Sequence, residues 1–418
     1  MQHVNASIIT IGDELLIGQT IDTNSAWIAQ ELNKIGIWVK RKVAVGDMWN
    51  DIWKALDEES KVSEIIILTG GLGPTSDDIT KPLLCEYFDG QMVVNEKVLQ
   101  FVREIFTHLK KPMLESNLKQ AEVPDVCTVL HNARGTAPGM LFRKNGKFFI
   151  SLPGVPYEMK GLMSDEVLPL LQKEFILPAI MHKTIFTAGQ GESFIAESIK
   201  DFEASLPPQI KLAYLPSYGM VKLRLTLTGA DKVKVEEELH PYFEKLKELV
   251  MDILVSDEDE DLAITIGKML KAKRKTLATA ESCTGGYIAH LITSVAGSSD
   301  YYKGSVVSYA NETKENILAV RHDTLVAAGA VSEETVVQMA KGVLEKLNTD
   351  YAIATSGIMG PGGGSKEKPV GTVWIAVASK NRVKTNQFLF RFDRERNIIQ
   401  ASLAALNMLR KLILENPG

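Results

Sequence analysis

Short β-branched runs alternate with amphipathic stretches at both ends of this chain, and that alternation is the strongest constraint on its fold. SIITIG (Ser7–Gly12) and EIIILTGG (residues 64–71) read as buried strands, and NSAWIAQELNKIG (residues 24–36) between them has helical spacing. Such Ile- and Val-rich runs separated by helices are typical of a parallel sheet with helices on both faces. FRKNGKFF (residues 142–149) predicts a hairpin, because Asn-Gly suits a type I′ turn.

The same alternation returns near the end of the chain, where strand-like KTLATA, YAIATSG, GTVWIAVAS and QFLFRF are interspersed with helical stretches. We therefore predict an α/β fold: two separate three-layer α/β domains, residues 1–170 and 256–418, joined by a small α+β module, residues 171–255. The acidic run SDEDED (Ser256–Asp261) suits a solvated linker whose last acids favour the start of a helix; a cation site is the alternative.

Composition excludes several classes of protein. The 418 residues carry a net charge of -5, which gives no electrostatic footprint for nucleic acid. Three widely spaced cysteines make a disulfide framework or a zinc cluster improbable. No apolar run approaches the ~18 residues that span a bilayer, and the first residues lack a cationic leader pattern. We expect a cytoplasmic protein without membrane contact.

The stretch ESCTGG (Glu281–Gly286) follows the strand TLATA and precedes an amphipathic run. A helix that starts at about Gly285 would present main-chain N–H groups, which hold a phosphate or stabilise an oxyanion. Ser282 would then stand as a nucleophile at the helix mouth. The alternative is structural, because Ser282 or Thr284 also suits a helix N-cap.

Two later stretches favour the functional interpretation. GSVVSYANETK (residues 304–314) is a strand that leads into a loop carrying Tyr309, Asn311 and Lys314. The second holds six glycines between Gly357 and Thr372, a costly backbone unless a ligand approaches closely. It is not a Walker A loop, because the Gly-Lys-Ser/Thr spacing is missing.

A nucleophilic serine needs a base. His290 lies eight residues after Ser282, about 12 Å along a helix, and His322 sits in a polar stretch, so neither suits a Ser-His triad. A desolvated lysine can serve instead, and Lys314 with Tyr309 is the best candidate. Cys283 is expected to pack as a small buried side chain.

AESCTGG, YANETK, TSGI-x-GPGGGS and KPVGTVW occur in this order and resemble the competence/damage-inducible protein CinA family. That resemblance implies a C-terminal nicotinamide-nucleotide amidase that converts nicotinamide mononucleotide to nicotinate mononucleotide and ammonia, without a cofactor. The alternatives are that only one domain is catalytic, or that the chain is a competence or DNA-damage accessory protein.

The resemblance also assigns roles to residues. Ser282 would be the nucleophile, Tyr309 and Lys314 would assist proton transfer, and Ser356 would contact the reacting centre. Two residues depart from the family pattern: Met359 replaces the usual alanine, and Phe392 replaces the usual glycine near the phosphate ligand. The substrate-binding set would be Thr284, Gly285, Gly286, Asn311, Gly357 and Arg394, of which Arg394 would bind the phosphate.

In the first domain, the stretch TGGLGPTSDDITK (residues 69–81) follows a predicted strand. It contains three glycines, Gly70, Gly71 and Gly73, which allow a ligand to approach the backbone closely. Asp77 and Asp78 come next. They suit either the dipole of the following helix or a polar ligand or divalent metal. Asp13-Glu14 and Asp47 follow the first two strands and should reach the same sheet edge.

This first domain resembles the molybdopterin-binding fold, in which Asp47 and Asp78 would match ligand-binding aspartates. In CinA proteins it is credited with metal-dependent ADP-ribose pyrophosphatase activity. Glu14 and Asp78 are the candidate ligands of a divalent ion (Mg, Mn or Co), and potassium is a further expected cofactor. Residues 132–140 and 151–159 would line the cleft. The middle module resembles the family's KH-like domain but lacks a Gly-x-x-Gly loop, so we expect it to support a homodimer rather than bind nucleic acid.

Overall fold

A computed structural model of the chain describes residues 4–75 and 78–416. The chain divides into two compact units, one formed by residues 1–181 with 227–237, and the other by residues 182–226 with 238–418. The predicted fold class is confirmed, with one α/β domain in each unit and a small α+β module between them in the chain. The exact domain boundaries stay predictions.

The N-terminal domain is built on a six-stranded sheet of order β2-β1-β3-β8-β7-β6, whose first four strands are parallel. A separate two-stranded sheet pairs β4 with β5. The strands are β1 (Asn5–Ile11), β2 (Trp38–Val45), β3 (Ile65–Thr69), β4 (Met92–Val94), β5 (Glu122–Pro124), β6 (Thr128–Leu130), β7 (Gly139–Lys144) and β8 (Lys147–Leu152). The helices are α1 (Asp13–Leu16), α2 (Asn24–Lys34), α3 (Trp49–Ser60), α4 (Thr80–Tyr87), α5 (Glu96–His108), α6 (Glu115–Leu118), α7 (Pro156–Leu162) and α8 (Leu168–Glu174).

Both faces of the central N-terminal strands are buried, which explains their continuous Ile runs. In β3, Ile65 and Ile67 pack against α2 and α7, while Ile66 and Leu68 pack against α3 and α4 on the other face. The predicted hairpin joins β7 to β8, and its two turn residues have positive φ values of 53° and 73°, as a type I′ turn requires. Three layers result.

The middle module is a four-stranded sheet of order β10-β11-β9-β12. Its strands are β9 (Ala179–Ala188), β10 (Lys211–Ser217), β11 (Met220–Gly229) and β12 (Leu254–Ser256), and its helices are α9 (Glu192–Ser198), α10 (Lys200–Ala204) and α11 (Lys232–Leu249). Phe186, Met220 and Val255 share a hydrophobic cluster with the C-terminal domain. The module's sheet therefore helps to build the core of the second unit.

The C-terminal domain has a five-stranded sheet of order β14-β13-β15-β16-β17. The first three strands are parallel, and β16 is antiparallel to both β15 and β17. The strands are β13 (Leu277–Glu281), β14 (Tyr302–Val307), β15 (Tyr351–Gly357), β16 (Thr372–Ser379) and β17 (Val383–Leu389). The helices are α12 (Leu262–Lys273), α13 (Tyr287–Thr293), α14 (Asn311–Leu318), α15 (His322–Ala327), α16 (Glu333–Lys346) and α17 (Arg394–Glu415).

The two faces of this sheet carry side chains of different size. One face carries larger side chains, such as Leu277 and Ile353, beneath α12, α13 and α17. The opposite face presents alanines from three adjacent strands, and α16 packs onto them with Val336, Met339 and Val343. The alanines are Ala278, Ala280, Ala352, Ala354, Ala376 and Ala378. The strict period of two along each strand produces this difference.

One expectation needs correction. The last strand spans Val383–Leu389 rather than residues 387–392, because polar Lys384, Thr385 and Asn386 form an edge strand that an apolar pattern does not reveal. The acidic run at 256–261 is solvated as expected, because Asp257, Glu258, Asp259 and Asp261 are exposed. At this surface Asp257 pairs with Lys247, and Glu258 and Glu260 pair with Lys268. Within the described residues, no helix is long and apolar enough to cross a membrane.

Candidate functional site

A cavity of about 200 Å³ opens where the parallel strands of the C-terminal sheet end. Ser282 follows β13, Tyr309 and Asn311 follow β14, and Ser356 lies at the end of β15. Because β17 also runs in the β15 direction, Arg394 at the start of α17 reaches the same edge. The lining residues are Ser282, Cys283, Tyr309, Asn311, Lys314, Ala330, Val331, Ser356, Gly357, Met359 and Arg394.

Ser282 is placed by the strand next to its own. Its main-chain N–H donates to the carbonyl of Thr355 on β15 at 3.0 Å, one residue before Ser356. The Ser282 side chain lines the cavity, and the residue is 8% exposed. The two serines therefore stand on adjacent parallel strands and face one space.

Lys314 is a buried cation on the cavity wall, 1% exposed. Its Nζ donates to the main-chain carbonyls of Ser308 at 2.8 Å and Tyr309 at 3.4 Å. Burial lowers the pKa of Lys314, with only a partly opposing effect from the Cys283 thiol. The neutral amine, which is the form able to accept a proton, is therefore easier to form here than in a free lysine.

Ser356 and Gly357 complete the floor of the cavity. The Ser356 hydroxyl donates to the carbonyl of Ala330 at 2.7 Å, so its oxygen keeps lone pairs for a donor from a ligand. A Cβ at Gly357 would lie 2.7 Å from the main-chain oxygen of Thr372, which leaves room only for glycine.

Arg394 lies at the mouth of the cavity. Its guanidinium donates to the Gly360 carbonyl at 2.7 Å and to the Tyr309 hydroxyl at 3.0 Å, two neutral acceptors. Tyr309 is 65% exposed, so this pair forms the solvent side of the site.

The neighbouring loops are held by Asn397, which is fully buried. Its side-chain amide donates to the carbonyls of Met359 at 3.1 Å and Phe392 at 3.0 Å, and its oxygen accepts from the Phe392 N–H at 3.2 Å. Arg394 therefore reaches the cavity although Phe392 replaces the expected glycine.

Thr284, Gly285 and Gly286 are placed differently from the expectation, because they do not line the cavity. The Thr284 hydroxyl is buried and donates to Glu281 at 2.7 Å. Helix α13 begins at Tyr287, and the N–H groups of Gly286, Ile288 and Ala289 all donate to the Glu281 carboxylate. The main-chain donors expected to hold an anion are thus occupied by the protein itself.

The remaining candidates, Cys283 and the two histidines, do not suit the role of nucleophile or base. Burial raises the pKa of the Cys283 thiol to about 12, so it stays protonated although it touches the cavity. His290 and His322 do not line the cavity, and Nδ1 of His322 lies 2.8 Å from Oε1 of Glu315. The geometry agrees with the sequence argument against a Ser-His triad.

Sequence reasoning missed several residues of the site. Ala330 and Val331 enter from the loop before α16, and small apolar residues in a loop carry no recognisable signal. Glu281 was visible inside ESCTGG without a role. An acid just before a helix start is the signal that points to it, because carboxylates stabilise helix N-termini.

The glycine-rich loop of the N-terminal domain begins directly after β3 in the chain. A Cβ at Gly70 would lie 2.3 Å from the main-chain oxygen of Ile11, and its φ of 121° favours glycine. Asp78 organises this loop: its carboxylate accepts the N–H of Gly73 at 2.7 Å, the N–H of Thr75 at 3.0 Å and the Thr75 hydroxyl. Asp77 lies outside the described residues.

Asp47 and Asp13 are bound to each other's backbone. Asp47 accepts from the Asp13 N–H at 3.0 Å, and Asp13 accepts from the Asp47 N–H at 3.2 Å. Glu14 is exposed, with its carboxylate folded over Gly12. The Asp13 and Asp47 carboxylates therefore stabilise the two adjoining turns.

Around the predicted ligands, the described residues form no preformed metal cluster, so a divalent ion in this domain stays a prediction. Both oxygens of Asp78 already accept hydrogen bonds from the loop. In residues 4–75 and 78–416, no group of three or more His, Cys, Asp or Glu side chains is arranged to hold a metal. Mg²⁺ keeps several waters and takes one or two protein carboxylates together with substrate phosphates, so a bound substrate would have to complete such a site. We derive no metal-dependent step for this domain.

Lys81 and the Asn132–Glu158 pair make further polar contacts in this domain that the sequence did not indicate. Lys81 donates to the carbonyls of Gln120 at 2.8 Å and Glu122 at 3.2 Å, and burial lowers its pKa to about 8. In the stretches expected to line a cleft, Asn132 donates to Glu158 at 2.7 Å, and burial raises the pKa of Glu158.

Three family models match successive parts of the chain. The probable molybdopterin binding domain matches residues 7–173, the damage-inducible protein CinA KH domain matches 182–254, and the CinA C-terminal domain matches 259–413. Each covers one of the modules seen in the fold.

Relatives match over nearly the full length. A CinA-like protein of Cytophaga hutchinsonii is 48% identical over 99% of both chains, and one of Flavobacterium psychrophilum is 47% identical over 99% of both. Among solved structures, a competence/damage-inducible protein of Agrobacterium tumefaciens is 40% identical and covers 36% of this chain and 93% of its own, with a TM-score of 0.36. Because these relatives match over nearly their full length and three domain models match in succession, the chain belongs to the CinA family.

Proposed function

We propose that the C-terminal domain hydrolyses the carboxamide of nicotinamide mononucleotide, giving nicotinate mononucleotide and ammonia. One observation carries the proposal: a single cavity is lined by Ser282, Lys314, Ser356 and Arg394. These side chains supply a nucleophile, a base, a hydrogen-bond acceptor and an anion-binding group.

Ser282 and Lys314 support nucleophilic attack. A neutral Lys314 has two N–H bonds, which donate to the carbonyls of Ser308 and Tyr309, and a lone pair that remains available. In the first step, Ser282 Oγ attacks the carboxamide carbon while its proton passes to Lys314 Nζ. The Lys314 ammonium then returns that proton to the departing nitrogen, and ammonia leaves.

The second half regenerates the serine. Water gives a proton to Lys314 and attacks the ester carbon, and Ser282 Oγ leaves with that proton. Ser356 supports the amide selectivity of this cycle. Because its hydrogen is committed to Ala330, its oxygen accepts from a substrate NH₂ group and disfavours the carboxylate of the product.

The charges of the site suit a phosphate at its mouth. Arg394 donates to two neutral oxygens, and no carboxylate of the described residues pairs with it to cancel its positive charge. Guanidinium groups bind phosphate oxygens in a bidentate geometry. In this proposal the phosphate binds near Tyr309, and the carboxamide lies at the inner end, near Ser282.

The test is ammonia release from nicotinamide mononucleotide by the wild-type chain, Ser282→Ala and Ser402→Ala. Ser402 is a matched control because it is a buried serine of the same domain whose hydroxyl donates to Ile398 within α17. We expect turnover in the wild type and Ser402→Ala, and loss of about 1,000-fold or more in Ser282→Ala. Absent wild-type turnover would refute the amidase, and an active Ser282→Ala variant would refute the nucleophile.

For the N-terminal domain, ADP-ribose pyrophosphatase activity, potassium dependence and a homodimer remain predictions. No contact in the described residues favours a specific substrate there. A second catalytic function is therefore not proposed, and separate assays of ADP-ribose cleavage with and without Mg²⁺ decide it.

A further inference from the structure

Glu281 is the residue that ties the elements of the cavity together. It is fully buried at the end of β13, directly before Ser282. Its carboxylate accepts from the Thr284 hydroxyl at 2.7 Å and from the N–H groups of Gly286 at 3.0 Å, Ile288 at 3.0 Å and Ala289 at 2.8 Å. Both oxygens are used, and Glu281 does not line the cavity.

The contacts extend from this carboxylate to the other site residues. The Thr284 hydroxyl also bonds the hydroxyl of Thr355 at 2.8 Å, and Thr355 precedes Ser356. The Glu281 carbonyl accepts the N–H of Ser308 at 2.8 Å, and the Ser308 carbonyl in turn accepts from Lys314. One residue therefore contacts the turn of the nucleophile and both neighbouring strands.

We propose that Glu281 is a positioning residue that holds the Ser282 turn in its reactive orientation against Lys314 and Ser356. This inference rests on the proposed function of the cavity. Glu281 does not act as an acid or base, because both of its oxygens accept hydrogen bonds from the turn and the helix. It acts by fixing the backbone on either side of Ser282.

The same contacts orient the ligand. The carboxylate compensates the positive end of α13 and occupies its main-chain donors, so an anion gains nothing by lying there. A substrate with one neutral amide and one phosphate therefore binds with its amide at the Ser282 turn and its phosphate at Arg394.

Glu281→Gln is the decisive variant, and Asp350→Asn is its matched control. Glutamine replaces one acceptor oxygen by an NH₂ donor, which faces N–H groups that need an acceptor. Asp350 caps the opposite end of the same strand, where it accepts from the Thr276 N–H at 3.0 Å and the Thr276 hydroxyl at 2.9 Å. Both variants lose a carboxylate that binds backbone, but only one adjoins the cavity.

The comparison uses melting temperature, kcat and KM for nicotinamide mononucleotide, and the rate at which a fluorophosphonate labels Ser282. We expect both variants to have a lower melting temperature than the wild type. Only Glu281→Gln should lose about tenfold or more in kcat and in labelling rate, and its KM should change by less than about threefold. Equal kcat and equal labelling in the two folded variants would overturn the proposal.

Labelling separates this proposal from the function on which it rests. If the wild type does not turn over nicotinamide mononucleotide, the amidase fails, but slower labelling in Glu281→Gln still supports positioning. If Glu281→Gln does not fold, Thr284→Val removes one donor to Glu281 and the link to Thr355. We expect it to slow labelling and kcat by about threefold or more; unchanged rates in that variant would overturn the proposal.

Discussion

The Nζ of Lys314 lies 2.8 Å from the main-chain carbonyl oxygen of Ser308. A carbonyl orients the amine without the full negative charge that would keep a lysine protonated. Burial is therefore the dominant effect, and it lowers the pKa of Lys314. Among the described residues no histidine lines this cavity, and this contact gives the site its candidate base.

The first prediction concerns pH. Because the neutral amine is the active form, kcat/KM should rise with pH through an apparent pKa below the ordinary lysine value of 10.5. Lys314→Arg should lose about 100-fold or more, since arginine remains charged at any working pH. The exposed Lys341→Arg variant is the control. A flat profile, or full activity in Lys314→Arg, contradicts this role.

The second prediction concerns the phosphate. Arg394→Gln should raise KM for nicotinamide mononucleotide by about tenfold and have much less effect on nicotinamide riboside, which lacks the phosphate. The neighbouring Arg396→Gln, which removes an exposed pair with Asp393, is the control. Equal changes for both substrates would show that Arg394 does not bind phosphate.

The third prediction concerns Cys283. Its pKa of about 12 leaves almost no thiolate at neutral pH, so iodoacetamide should not label it in the folded protein. Cys283→Ala should keep activity within about threefold and lower stability by about 1 kcal/mol, the cost of a small buried void. Rapid inactivation by iodoacetamide that substrate prevents would argue for a nucleophilic thiol.

The fourth prediction concerns Lys81. Its pKa is about 8 in the folded chain and near 10.5 when unfolded, so between these values the unfolded chain binds the additional proton. The free energy of unfolding should therefore rise with pH over this window, by an amount on the order of 3 kcal/mol, and the gain should be lost as pH falls. Denaturation of Lys81→Met should lack this rise. An identical pH dependence in both proteins contradicts the assignment.

The fifth prediction separates structure from metal binding at Asp78. Asp78→Asn loses an acceptor for the N–H groups of Gly73 or Thr75, so it should destabilise the N-terminal domain by about 1–2 kcal/mol, equally with and without Mg²⁺. Thermal melting measures this. A Mg²⁺-dependent rise in the melting temperature of the wild type that disappears in the variant would restore Asp78 as a metal ligand.

Sequence reasoning succeeded where topology alone determines which residues meet. Ser282, Tyr309 and Ser356 come together because each follows or ends a parallel strand, and the carboxyl ends of parallel strands lie at one edge of a sheet. The fold class follows from the same alternation.

Sequence reasoning failed where local hydrogen bonds decide the outcome. The N–H groups after Ser282 bind Glu281 instead of a ligand, and Asp78 binds the loop three to five residues before it. A pattern of residue types shows that donors and acceptors are available, but it does not show which of them pair. The predicted bounds of β17 were wrong for a related reason. Its polar residues 384–386 are held in the strand by main-chain pairing with β16, which a pattern of apolar residues does not show.

Asn397 explains why a bulky residue is tolerated at position 392. Its side chain binds only the main-chain atoms of Phe392 and the carbonyl of Met359, and none of these bonds depends on what side chain those positions carry. The two departures from the family pattern lie at the two positions that this one amide holds by their backbones. The cavity wall can therefore change at residue 359, and the segment before Arg394 can change at residue 392, while Arg394 keeps its place, so substrate preference can evolve there separately from the reaction.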